Sequence, residues 1–197
     1  MPLLKTVETI HNPNNLPVDR AVIWLHGLGA NGHDFEPVVP DLRLDGNHVI
    51  RFVFPNAPAI PVTINQGYVL PAWYDILEMS LERKIDTAQI EQSASSIRAL
   101  IAQENERGVP SEHIVIAGFS QGGAVAYQTA LSYDKPLAGL LTLSTYLATK
   151  DSLVLSDANK NLKIAIHHGT QDPVVPVQLG QEAKAWLESK GYQPQFY

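Results

Sequence analysis

The sequence predicts an α/β fold in one domain: a mostly parallel sheet with helices on both faces. Three observations predict it. Short apolar runs closed by turn residues recur along the chain, stretches of helical spacing separate them, and 197 residues is about one domain's length, with a core large enough to enclose a pocket. Apolar residues make up 45% and charged residues 17%, the balance of a compact globular chain. The 14 Lys and Arg against 20 Asp and Glu leave a net charge of −6, which gives nucleic acid or an anionic membrane nothing to attract. Cysteine is absent, which excludes disulfides, cysteine-ligated metals and a cysteine nucleophile. Only Leu3 and Leu4 precede the first charge, Lys5, too short a run for a secretion signal, and no window approaches the ~18 apolar residues of a membrane span. The chain therefore reads as cytoplasmic, with no stable membrane insertion.

Ala21-Val22-Ile23-Trp24-Leu25, closed by His26-Gly27, has the nearly continuous apolar character of a strand buried on both faces. Residues 49–54, ended by Pro55, read the same way, as do 114–117, 137–143 and 163–166. Between them, Ile90, Ala94, Ile97 and Ile101 fall on one face of a helix. Asp86 with Gln89 resembles a capping box at its start, and Gly108 with Pro110 supplies the stop. Two further helices are expected over 121–133 and 177–190, the second with Ala183, Trp186 and Leu187 inward. Strands alternating with helices imply parallel βαβ units, whose active sites lie at the carboxyl ends of the strands.

Gly118-Phe119-Ser120-Gln121-Gly122 stands at such an end. An apolar strand runs into it and a helix rich in small residues, Gly122, Gly123, Ala124 and Ala126, runs out. That setting suits a serine nucleophile on a strained strand-to-helix turn, with glycines leaving room on either side. The helix N-terminus aims free N–H groups at an oxyanion, that of Gln121 nearest. The bland alternative is a glycine-rich helix start with a capping serine.

Gly27-Leu28-Gly29-Ala30-Asn31-Gly32 fits a dinucleotide-binding fingerprint directly after a strand. Two features speak against that reading: the next strand ends Phe54-Pro55-Asn56 with no acidic residue, and Pro37 and Pro40 interrupt any long helix after the glycines. A glycine-rich turn after an early strand instead suits a second oxyanion donor, the N–H of Leu28, and one such donor is worth about 3 kcal/mol in a transition state. Asp172, in the loop after the 163–166 strand, lies on the same edge and follows Ser120 in chain order, as a triad acid would, although an aspartate before a proline also serves as an ordinary turn residue.

Together these segments resemble the small carboxylesterases and lysophospholipases that include the acyl-protein thioesterases, a family of the α/β-hydrolase fold. Leu25 to Gly29, Trp73-Tyr74-Asp75-Ile76, Gly118 to Gly123, and His168-Gly169 through Asp172 to Pro176 are similar to its motifs and stand in its order. The resemblance implies Ser120 as nucleophile, Asp172 as triad acid, Leu28 and Gln121 as oxyanion donors, and Trp73 near the acyl groove, with Leu70 and Ile64 as further walls. Ala30 stands where the family usually has Asp, and Leu70 where Met is common.

The resemblance also implies a triad histidine after the acid, past a helix and a strand and just before a final helix. None of the seven histidines follows His168, so the base is expected a few residues beyond Tyr197, and the domain, 1–197, is expected to be C-terminally incomplete and to lack its last helix. His26, His33, His167 and His168 lie near the correct edge, each with a bracing role available; His113 starts the nucleophile strand, on the order of 20 Å from Ser120, and His11 and His48 also precede strands. A metal site from His26, His33 and His168 lacks any recognised ligand spacing. The function expected is hydrolysis of carboxylic esters or thioesters through an acyl-enzyme on Ser120, without a cofactor, on small esters, lysophospholipids or acyl-thioesters. A homodimer stays open. The alternative is a catalytically incomplete member that binds a ligand or partner.

Overall fold

The computed structural model describes residues 3–78 and 84–197, leaving the first two residues of the N-terminal stretch outside. Its main sheet is formed by β1 (Thr6–His11), β2 (Arg20–Leu25), β3 (Ile50–Pro55), β8 (Ile114–Phe119), β9 (Gly139–Leu143), β10 (Ile164–His167) and β11 (Gln195–Phe196). Two small hairpins lie between β3 and β8: β4 (Ala59–Val62) with β5 (Tyr68–Pro71), and β6 (Ile76–Glu78) with β7 (Lys84–Ile85). The order in the main sheet is β1-β3-β2-β8-β9-β10-β11, and every neighbouring pair is parallel except β1 with β3. The chain leaves β2 toward one edge and leaves β8 toward the other. The junction of β2 and β8 is therefore the switch point of the topology, where open α/β sheets place their sites.

Helices α1 (Thr87–Glu106), α2 (Gln121–Ser132) and α3 (Val177–Ser189) occupy the three expected stretches. Asp86 caps α1 by accepting the Gln89 N–H, but the reciprocal half of the capping box is absent: the Gln89 side chain accepts from the Asp75 N–H at 2.7 Å instead. All three helices pack into one large core, through residues such as Ile90, Ile97, Tyr127, Leu179 and Leu187. Alternate residues of the strands form a second core on the other face, where Trp24, Phe52 and Phe54 meet Val39 of the 3-10 helix Glu36–Leu42. Pro37 and Pro40 keep that segment from becoming an α-helix. On this second face Val115, Leu141 and Ala165 are only half-buried and border an open concavity. Among the described residues no helix is long and apolar enough to cross a membrane.

Candidate active site

Leu25 pairs with Gly118 across β2 and β8, so the loop leaving β2 and the turn leaving β8 stand side by side. Ser120 sits at the head of α2 with φ 52° and ψ −119°, backbone that a non-glycine residue adopts at a cost. Its N–H donates to the Leu143 carbonyl at 2.9 Å, and its carbonyl accepts from the N–H groups of Gly123 and Ala124 and, at 2.6 Å, from the Thr145 hydroxyl. The glycines are required by close approach: a Cβ on Gly118 would run into the Gly122 carbonyl, and one on Gly122 would stand 2.5 Å from the His26 carbonyl.

The two expected oxyanion donors are both open. Gln121 is the first residue of α2, so its N–H has no partner in the helix, and among the described residues no backbone acceptor takes the Leu28 N–H. The sequence points to Gln121 through its N–H alone. The structure adds its buried side chain, which accepts from the Trp73 N–H at 2.8 Å and donates to the Tyr74 carbonyl at 2.6 Å. The same segment is fastened to the other donor's loop, because the Trp73 indole donates to the His26 carbonyl at 2.9 Å and the Gly29 N–H donates to the Pro71 carbonyl at 2.8 Å. Segment 71–74 thus ties the two donor loops together. Trp73, expected near the acyl groove, is 1% exposed, with its indole enclosed behind the loop that leaves β2. Ile64 and Leu70 are half-buried near this segment, with Ile64 packed on the main core.

Asp172 lies in the loop after β10, half-buried. Partial burial opposes its charge, but the N–H groups of Val175 and Val174 on Oδ1, the Ser144 hydroxyl and the nearby His168 outweigh that and hold its carboxyl below the usual carboxylate range. None of the seven histidines bonds to Ser120 or Asp172. His26 is buried, donates through Nδ1 to the Gly27 carbonyl and accepts the Ala57 N–H on Nε2. His168 is buried and bonds the Val175 carbonyl through Nε2 at 2.7 Å, its ring pressed against Gly180. His33 pairs with Glu36 on the surface, and His167 stacks on Tyr197 at 4.6 Å. His11 bonds the Asp45 carbonyl, His48 bonds Asp19, and His113 meets Arg20. The described residues contain no group of three or more His, Asp or Glu side chains that could hold a metal ion.

Comparison with known proteins adds independent evidence. Residues 6–195 match the family model described as Phospholipase/Carboxylesterase. Acyl-protein thioesterase 1 of Gibberella zeae is 36% identical over 181 residues, covering 87% of this chain and 77% of the relative, and that of Neurospora crassa is 37% identical over 188 residues, covering 89% and 76%. The crystal structure of Arabidopsis thaliana SOBER1 superposes with a TM-score of 0.82 at 31% identity over 91% of this chain and 87% of that one. Zea mays acyl-protein thioesterase 2 gives 0.80 at 25% identity over 97% and 89%. A match spanning nearly the whole chain, with relatives above 30% identity on the same fold, makes this chain a member of the phospholipase/carboxylesterase family.

Proposed function

We propose that this hydrolase cleaves carboxylic esters or thioesters through an acyl-enzyme on Ser120, with Asp172 as triad acid and the N–H groups of Leu28 and Gln121 as oxyanion donors. The observation that carries the reading is Ser120 itself: a serine at φ 52° at the head of a helix, near two N–H groups that no backbone acceptor takes among the described residues. Attack by Oγ on the substrate carbonyl carbon places the developing negative oxygen where preorganised donors stabilise it. Collapse of that intermediate expels the alcohol or thiol and leaves the acyl group on Ser120, and water then releases the acid. An imidazole must take the serine proton and return it to the leaving group, the role that the family resemblance gives to a histidine after the acid. Asp172, held ionised, is suited to orient that ring.

The thioesterase relatives favour acyl-protein thioesters among the substrates, with lysophospholipids and small esters beside them. Ile64 and Leu70 stand as apolar contacts for the acyl chain. The binding-only alternative is not favoured, because the family match and the relatives are hydrolases. A homodimer is tested by sedimentation, where twice the monomer mass is the expected signature.

The test is labelling of the full-length protein with a fluorophosphonate, followed by peptide mapping. One adduct per chain on Ser120 is expected, and Ser120→Ala should lower kcat by about 10⁶. An adduct at another residue, or an active Ser120→Ala variant, would sink the proposal. Parallel rates on matched acyl thioesters and oxygen esters separate the two substrate classes.

A further inference from the structure

The exit of β9 reaches both members of the proposed pair. The Leu143 carbonyl takes the Ser120 N–H, and the next residue, Ser144, donates its own N–H to the His167 carbonyl at 2.8 Å. Ser144 has φ 44°, left-handed backbone that serine adopts at a cost and that tends to persist where a site demands it. Its hydroxyl lies beside the Asp172 carboxylate and helps to hold it ionised, while the Val174 and Val175 N–H groups occupy Oδ1. Thr145 is buried, donates its hydroxyl to the Ser120 carbonyl at 2.6 Å, and fills the space beside Gly123, where a Cβ would stand 2.5 Å from its methyl carbon. Neighbouring side chains on one turn therefore hold the acid and the backbone of the nucleophile.

We propose that Ser144 and Thr145 are the positioning residues of this site: Ser144 orients the Asp172 carboxylate, Thr145 fixes the carbonyl of Ser120, and the turn between them sets the relation of acid to nucleophile. The inference rests on the reading of Ser120 and Asp172 as catalytic partners. It explains why a serine occupies a position whose backbone suits glycine better: the hydroxyl is needed there.

The decisive variant is Ser144→Gly in the full-length protein, which removes the hydroxyl and suits the left-handed backbone. Its Tm should equal or exceed that of the parent. Its kcat should nevertheless fall roughly tenfold to a hundredfold with KM unchanged, the loss expected of one hydrogen bond to a charged group. Ser144→Asn tolerates the same backbone and offers an amide donor, so it should recover most of the lost rate. Thr145→Val, which keeps the shape and loses the donor, should also lower kcat more than it changes KM. Ser120→Ala is run alongside: if that variant keeps full activity, the catalytic reading fails and the inference falls with it. If Ser120→Ala is inactive while Ser144→Gly turns over at the parent rate, or Ser144→Asn is as slow as Ser144→Gly, the inference alone is overturned.

Discussion

The ring of His26 is locked between two backbone groups, donating to its neighbour's carbonyl through Nδ1 and accepting the Ala57 N–H on Nε2, so only the neutral form fits. Burial lowers its pKa below the ordinary value of 6.5, against weaker opposing effects of the Gly27 carbonyl and of Asp34. The folded state thus binds the proton less readily than the unfolded chain. The resulting contribution to stability is complete above pH 6.5 and declines as the pH falls from there toward the folded value. Urea unfolding followed from pH 7 downward should show stability beginning to fall in the histidine range, above the range where carboxylates protonate, and His26→Ala should lack that upper step. Ser120 and Asp172 were legible as candidates because strand, turn and glycines surround one and a strand end precedes the other. The side-chain roles of Gln121, Ser144 and Thr145 were not, since each depends on partners 25 to 48 positions away, such as Trp73 for Gln121 and Ser120 for Thr145. Their place just past strand ends was the one available hint.

Helix α1 is fastened to the sheet by charge as well as by apolar packing. Glu104, 1% exposed, accepts from Arg51 of β3 at 2.7 Å and from Arg107 at 2.9 Å, and Arg107 reaches on to Glu8 of β1 at 2.7 Å. One helix end thereby holds the antiparallel edge strand to its neighbour. Glu104→Ala would leave the largely buried Arg51 without its closest anion and should cost about 3–5 kcal/mol, read as a lower urea midpoint. The same edge is where the sequence was least informative. Strand β1 alternates half-buried and exposed positions and carries Thr, Glu and His, so no apolar run announces it, whereas β2, β3 and β8 are largely buried on both faces and are written as nearly continuous apolar runs, broken within β3 by Arg51. Strands β4 and β5 are apolar but only four residues each and carry prolines, and β6 and β7 are shorter still.

Across the whole molecule, the change of direction between β2 and β8 decides where chemistry can occur, because it brings a glycine-rich loop and a helix head to one edge of the sheet. That much followed from strands alternating with helices. What did not follow was the uneven dressing of the sheet, with three α-helices in one core and a 3-10 helix over the other, which depends on how long segments cross the sheet. The two cores and α3 also divide the tryptophans. Trp24 is stacked on Phe35 in the second core, Trp73 is sealed behind the loop that leaves β2, and Trp186 is half-buried on α3 beside the Lys190 ammonium. The indole of Trp73 donates to the carbonyl of His26, two residues before Leu28. Light absorbed by that ring should therefore report on the loop: acylation of Ser120 should change the intrinsic fluorescence, Trp73→Phe should abolish the change, and Trp24→Phe and Trp186→Phe should preserve it, giving the protein a built-in optical signal of site occupancy without any added dye.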